Sequence, residues 1–330
     1  MIKVNSQTII GIDTGNYNVK TANTCFVSGY KQVGKNDFFE DKLCYDGRYY
    51  VLTKTPVVIR DDKSGNEDFL ILSMFAIAKE LEARGIDFKS VDEVVLGVGL
   101  PPGKMAIMDY RENLEKYYEG SLCFTYKENL IKVDVKKVLV FPQCYSTLMW
   151  NNRTRRMQEL EPNSETTLYQ YLSKEAQSLL IDIGGGTVDV VSLEYGKMTA
   201  DDYYSLDLGL RRCILDVNRQ IEMSTGEPLG ESFITNYLQG KNVRITESDR
   251  KMIDRAVDSY IDSLIINLES RGIPIRKSYV VLMGGNAELV WGKLKNRNVF
   301  GYLDILPDIS ANAKGYEGFV MQYIDSAKND

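Results

Sequence analysis

Two stretches of the chain place carboxylates, glycines and small polar side chains in the same order: IGIDTGNYNVK at 10–20 and LIDIGGGTVDV at 180–190. In each, an apolar run ends on a carboxylate, Asp13 or Asp182, and a glycine-bearing turn leads into a second strand-like run. Glycine lets backbone N–H groups approach a ligand closely. Successive N–H groups in such a turn form a concavity that takes an anion. Two such loops facing each other would clamp a polyphosphate from both sides. Asp13 and Asp182 suit Mg2+, which favours a few carboxylates, retained waters and phosphate oxygens. Thr14, Asn16 and Thr187 add short polar side chains, and Lys20 is a mobile cation for phosphate charge. The simpler reading is that Gly15 and Gly184, Gly185 and Gly186 only make tight turns capped by the aspartates. A single short glycine motif is often no more than that.

A third glycine site, VVLMGGNAEL at 280–289, is an apolar strand pattern followed by Gly284, Gly285 and Asn286 and then a helical pattern. Bare backbone at a helix entrance can pack on a flat nucleoside face and present N–H groups. A close strand-to-helix turn explains the same glycines. The three sites together favour the ligand reading over three unrelated turns.

The elements that carry these sites follow from periodicity. The run 8–13 reads as a buried strand and 18–27 as the next strands of a meander. Residues 30–66 are polar and Tyr-rich, and contain a hairpin signal at YDGRYYVL. They read as a small subdomain inserted in the first domain. Residues 67–85 read as a helix closed by Gly85. A strand is expected over 91–101, a helix over 104–118, a hairpin and buried strand over 121–142, and a helix over 143–160. The pattern then restarts, with EPNSET (161–166) as a hinge. Strand, turn and strand occupy 179–198, and helices follow over 208–222 and, with Thr246 as N-cap, over 245–270. Residues 224–245 read as a second insertion, and 311–324 as a last helix. Aligning Asp13 with Asp182 also aligns Gly15 with Gly184 and Val19 with Val188. This echo implies two related α/β domains with helices on mixed sheets.

The totals narrow the function classes. The chain has 330 residues, enough for two medium domains with real cores. It contains no histidine, so His-based triads and His metal sites are excluded. Its five cysteines, Cys25, Cys44, Cys123, Cys144 and Cys213, are scattered without CxxC spacing and read as free thiols. A net charge of −6 argues against direct DNA binding. No run approaches the roughly 18 apolar residues of a membrane span. No membrane association is expected, and a cytoplasmic location is.

At this point the motifs resemble a family. IGIDTGNYNVK, VFPQCYS (140–146), LIDIGGGTVDV and VLMGGNAEL fall in the order of the phosphate 1, connect 1, phosphate 2 and adenosine motifs of actin-like ATPases. Within that superfamily the chain looks most like the ParM (StbA) type of plasmid-segregating bacterial actin. The cues are VVLGVGLPPGKM (94–105), SLDLGLRRCILDVNRQI (205–221) and NAKGY (312–316). The resemblance implies an actin-like fold of two RNase H-like α/β domains around a nucleotide cleft. Domain I would span 1–165, with helix 311–326 packing back on it, and domain II 166–310. Each would carry a small insertion, over 30–66 and 224–245.

It further implies ATP as ligand, with GTP possible, and Mg2+ held by Asp13 and Asp182, mostly through water. Thr14, Gly15, Asn16 and Lys20 would contact phosphates on one side, and Gly184, Gly185, Gly186 and Thr187 on the other. Gln143 would orient the attacking water, where ParM-type members often carry a glutamate, and Asp182 would share the catalytic work. Gly209, Asp216 and Arg219 would line the pocket, and Gly284, Gly285 and Asn286 would flank the adenosine. The expected function is an ATP-hydrolysing protein that polymerises head to tail and segregates plasmid DNA through a DNA-binding adaptor of ParR type. A small-molecule kinase of the same superfamily, or a bacterial actin of cell shape or division, is the alternative.

Overall fold

The computed structural model describes residues 3–4, 7–58, 62–105, 107–198 and 203–327. Residues 59–61 of the expected first insertion and residue 106 of the expected helix 104–118 lie outside them. The described chain divides into two compact units, residues 1–151 with 309–330, and residues 152–308.

The first unit opens with β1 (Lys3–Val4), β2 (Gln7–Thr14), β3 (Asn18–Lys20) and β4 (Cys25–Val27). Next come β5 (Tyr30–Val33), β6 (Leu43–Tyr45), β7 (Arg48–Leu52) and α1 (Asp68–Ala83). β8 (Glu93–Leu100), α2 (Pro102–Met105), α3 (Met108–Tyr118), β9 (Gly120–Tyr126) and β10 (Asn129–Pro142) complete this run. The strands form one sheet in the order β4-β3-β2-β8-β10-β9-β6-β7-β5, with β1 beside β2. β2 is an unbroken apolar run because both its faces are covered. Ile10 and Ile12 pack in the cluster that holds Phe69, Leu72 and Phe75 of α1. Ile9 lies in a cluster on the other side with Val95 and Val320.

The hairpin signal is realised as β6–β7, pairing Tyr45 with Arg48 across Asp46 and Gly47, both at positive φ. The strands of the expected insertion do not stand apart from the sheet: β6 pairs with β9, Leu43 opposite Tyr126. α1 ends as its Gly85 signals, with Gly85 at φ +65 and the Ile86 N–H bonded to Leu81 O.

The second unit contains α4 (Arg155–Leu160), α5 (Leu168–Leu172), β11 (Ser178–Ile183), β12 (Val188–Leu193) and β13 (Tyr203–Leu206). α6 (Leu210–Thr225), α7 (Glu231–Leu238), α8 (Glu247–Ser270), β14 (Tyr279–Met283), α9 (Ala287–Asn296) and β15 (Tyr302–Ile305) follow. Its sheet runs β13-β12-β11-β14-β15. α10 (Ala311–Ser326) then returns to the first unit.

The echo in the sequence is an echo in topology. The inner strands β4-β3-β2-β8-β10 match β13-β12-β11-β14-β15: two antiparallel pairings followed by two parallel ones in each case. This is an actin-like fold.

The expected helix over 143–160 is a correction. Residues 145–149 form only a tight 3-10 turn, Trp150 is extended, and α4 begins at Arg155 behind its N-cap Thr154. The hydroxyl of Thr154 accepts the Met157 N–H and so starts a new helix. Elements not expected include α5, β13, α7 inside 224–245 and the short strand β15. Each is too short for periodicity to reveal. No helix among the described residues is long and apolar enough to cross a membrane.

Candidate functional site

In the first unit, the β2–β3 register sets the chemistry. Asp13 pairs with Lys20 and Thr14 with Val19. Opposite residues of an antiparallel pair point to one face, and the Lys20 ammonium lies 3.4 Å from Asp13 Oδ2. Both side chains are buried. The other carboxylate oxygen, Oδ1, accepts from Gln143 Nε2 at 3.1 Å. Only the amide NH2 can donate to a carboxylate, so Gln143 Oε1 is the atom left to accept from a water.

Gln143 follows the last residue of β10. Its N–H donates to Leu100 O at 2.8 Å, extending the parallel pairing of β10 with β8 by one bond. The chain then reverses. Cys144 sits at φ +67, ψ −64, and the Tyr145 N–H reaches back to Gln143 O at 2.7 Å. This is a γ-turn centred on a residue with a Cβ, a conformation that costs on the order of 1–3 kcal/mol and persists only where its surroundings enforce it.

Two further groups hold the first loop and a third holds the turn after Gln143, and the sequence assigned none of them this role. Ser28 Oγ donates to Gly15 O at 2.5 Å. Lys63 donates to Thr14 O, and its ammonium also stands 5.4 Å from the Phe69 ring centroid. Asn312 of α10 accepts the Cys144 N–H at 2.9 Å. Lys63 and Asn312 lie 49 and 168 residues from their partners, so no local pattern could have assigned them. Ser28 is closer, and a serine just beyond a meander strand is its only signal.

In the second unit the same hairpin recurs with one difference. Asp182 pairs with Asp189 and Ile183 with Val188. Where the first hairpin has a lysine, the second has a second carboxylate. Asp189 is buried and accepts from Ser205. Like charges side by side on one sheet face are unfavourable, and a cation relieves them. Asp189 lies within the quoted motif, but its place beside Asp182 follows from the register.

The glycine turn is clamped from behind. Gly184 N–H donates to Thr187 O at 3.0 Å. Gly209 and Leu210, at the start of α6, donate to Gly186 O and Gly184 O at 3.1 and 3.2 Å. A Cβ on Gly209 would lie 2.1 Å from Gly185 O, so the helix can approach the turn this closely only with glycine there. Asp216 and Arg219 lie farther along α6, exposed, and no hydrogen bond ties them to the turn among the described residues. From β14, Gly284 adopts φ +95 and brings its backbone against the Asp182 carboxylate, while Asn286 N–H donates to Ile183 O at 3.2 Å.

The two loops therefore gather different parts of the expected set. Asp13, Thr14, Gly15, Asn16, Lys20 and Gln143 come together in the first unit. Asp182, Gly184, Gly185, Gly186, Thr187, Gly209, Gly284, Gly285 and Asn286 do so in the second.

Both glycine turns are closely built. A Cβ at Gly15 would stand 2.6 Å from Asn18 O, and one at Gly184 2.9 Å from Thr187 O, so these turns leave no room for larger residues. Asn16 Oδ1 is buried and accepts no hydrogen bond among the described residues; a metal-bound water is a donor it can use. Among the described residues no group of three or more Cys, Asp or Glu side chains forms a protein cage for a metal. Asp13 in the first unit and Asp182 in the second are each a carboxylate of the kind that holds Mg2+ together with waters and phosphate oxygens.

Comparison with known proteins gives an independent result. Residues 11–145 match the family model described as the N-terminal domain of actin-like proteins. No curated protein matches the chain by sequence. Among solved structures, the actin-like protein Alp7A superposes with a TM-score of 0.70 at 14% identity, covering 97% of this chain and 98% of that one. ParM of Bacillus thuringiensis, solved with ATP, gives 0.64 at 13% identity over 98% and 100% of the two chains. Alp12, solved as a filament, gives 0.61 at 13% identity over 96% and 99%.

Proposed function

We propose that this chain, actin-like in fold over nearly its whole length and in sequence over residues 11–145, hydrolyses ATP and polymerises head to tail to move plasmid DNA. The observation that carries the reading is the duplicated hairpin: a strand ending on a carboxylate, then a glycine turn, once in each unit. Similar folds solved with ATP and as a filament support it.

In this reading each loop serves nucleotide phosphate. The backbone of residues 15–16 and 184–187 cradles the phosphates, Lys20 balances their charge, and Gly284, Gly285 and Asn286 border the nucleoside. Asp13 and Asp182 are the carboxylates that would hold Mg2+, which would neutralise charge developing on the phosphates. Asp13 is held ready by Lys20 and Gln143. Gln143 Oε1 accepts from the attacking water and orients it. A neutral amide is a poor base, but phosphoryl transfer depends mostly on positioning and electrostatic stabilisation. Slow turnover would suit a timer, in which loss of the last phosphoryl group weakens the contact between subunits. Head-to-tail addition through unlike faces gives an open filament rather than a closed ring. With a net charge of −6, the chain would reach DNA through a basic adaptor of ParR type rather than directly.

Light scattering and sedimentation with Mg-ATP, Mg-GTP and Mg-ADP, run beside phosphate release, test this reading. Assembly with a triphosphate and decay as phosphate appears are expected. A chain that stays monomeric at tens of micromolar across salt conditions overturns the filament. Turnover that rises only with an added sugar or acid would mark a kinase instead.

A further inference from the structure

The NAKGY stretch (312–316) lies in α10, far in sequence from both loops, yet Asn312, Gly315 and Tyr316 all touch the segment that carries Gln143. Asn312 Oδ1 accepts the N–H of Cys144, the residue at the centre of the γ-turn. Asn312 and Cys144 are both buried, so water offers no substitute acceptor. Gly315 lies so near the following turn that a Cβ would stand 1.9 Å from Ser146 O. The Tyr316 ring stacks near Phe141, with centroids 6.3 Å apart, and its hydroxyl fills the space beside Gly99, which Gln143 also borders. Within the turn, Thr147 Oγ1 donates to Cys144 O at 2.7 Å and Ser146 Oγ to Pro142 O at 2.5 Å.

We propose that Asn312 is a positioning residue for ATP hydrolysis: by accepting the Cys144 N–H it holds the γ-turn that aims Gln143 at Asp13 and at the attacking water. The physical reason lies in the turn itself. A positive φ at a residue with a Cβ relaxes toward extended backbone unless something holds it. Once the Asn312 acceptor is removed, the buried Cys144 N–H loses this bond and the turn loses one of its restraints. Because Gln143 is the adjacent residue, relaxation at Cys144 redirects its side chain and breaks its bond to Asp13. The NAKGY stretch is thereby tied to the chemistry without touching nucleotide. Gly315 lets α10 come close enough for Asn312 to reach.

This inference rests on the proposed ATP hydrolysis, so the experiment carries one readout that does not. In apo protein, maleimide labelling resolved by cysteine reports the turn directly. Cys25 and Cys123 are exposed and serve as internal standards, while Cys144 is buried. Asn312→Ala should raise the Cys144 labelling rate at least tenfold against those standards, and Asn312→Asp, which keeps an acceptor oxygen, should restore protection. With ATP, Asn312→Ala should lower kcat on the order of tenfold to a hundredfold, as a small misplacement of a positioned group does. Its KM and nucleotide affinity should stay within about twofold, because the loops that would bind phosphate are intact. Asn312→Asp should recover most of kcat.

If Cys144 stays protected in Asn312→Ala, or if kcat and affinity fall together with no rescue by Asn312→Asp, the positioning role is wrong. If Asn312→Ala fails to fold, Cys144→Gly supplies the second test, since it removes the Cβ strain. Added to Asn312→Ala it should restore folding and most of kcat, and a folded double variant that stays more than tenfold below wild type would overturn the role of the turn. A wild-type chain that neither binds nor hydrolyses nucleotide, but whose Cys144 responds as stated, refutes the proposed function and leaves the turn's restraint standing.

Discussion

Gly284 lies against Asp182: a Cβ on Gly284 would stand 2.1 Å from Asp182 Oδ1, with Gly284 at φ +95 and Met283 paired directly with Asp182. The glycine of the third motif is thus part of the wall around the carboxylate of the second. Two stretches that are 102 residues apart, from 182 to 284, form one local structure.

Gly284→Ala should therefore damage the site in two ways. The positive φ costs on the order of 1 kcal/mol for alanine, and the collision moves the Asp182 carboxylate. Nucleotide affinity measured by titration should fall by about tenfold or more. Gly272→Ala is the control: Gly272 also has φ +72, but a Cβ there meets nothing within 4 Å. It should lose stability alone and bind normally.

Asp182→Asn and Asp13→Asn keep shape and remove charge. Each should reduce the rate of phosphate release on the order of a hundredfold, the scale seen when one electrostatic partner of a reaction is lost. Melting temperature should change little for Asp182→Asn, because Asp182 is only partly buried. Asp13→Asn should lower it, because Lys20 loses its buried partner. Unequal shifts in melting with parallel losses of turnover would distinguish the two hairpins.

Gly315→Ala should destabilise the first unit by about 1–3 kcal/mol, the usual cost of overpacking. Its Cβ would enter the backbone of the 3-10 turn at Ser146 O. Chemical denaturation with an unchanged m-value is the measurement.

The C-terminal helix is also docked by a buried charge cluster with a defined pH dependence. Arg84 pairs with both Glu80 and Glu317, Glu317 accepts the Gly11 N–H at 3.0 Å, and Glu80 accepts from Thr21 and Asn23. Burial pushes the Glu317 carboxyl above its usual 4.5, and Arg84 and Gly11 only partly offset it. Burial acts on Glu80 too, but the Thr21 hydroxyl, Arg84 and Asn23 outweigh it and hold that carboxyl below 4.5.

The signs are opposite. A raised Glu317 favours the fold fully below pH 4.5, and that contribution is lost as pH rises through its native value. A lowered Glu80 favours the fold above pH 4.5, and that contribution is lost as pH falls through its native value. Melting curves from pH 4 to 8 should show Glu317→Gln gaining on wild type as pH rises. Glu80→Gln should lag wild type most at neutral pH and close the gap in acid. Parallel curves for either variant would refute its assignment.

Much of this was legible in the residues. The two hairpins, the Asp46–Gly47 turn, the Gly85 helix end and the Thr246 cap were all expected from local rules, and the structure has them. Each is a short-range decision: an apolar run that must be buried, a backbone angle that favours glycine, or an N–H that needs a nearby oxygen. The helix expected over 143–160 failed for the converse reason. The γ-turn at Cys144 depends on Asn312, and no local rule selects a positive φ at cysteine.

By itself, then, the sequence determined the duplicated strand–carboxylate–glycine pattern and the order of elements around it, because period, turn chemistry and capping act within a few residues. The tertiary structure alone decided that Asp13 faces Lys20 while Asp182 faces Asp189, that Gly284 borders Asp182, that Lys63 reaches the first loop and that Asn312 reaches the turn after Gln143. Register, close backbone approach and long-range hydrogen bonds depend on which surfaces meet when the cores close, and no single stretch of chain contains that information.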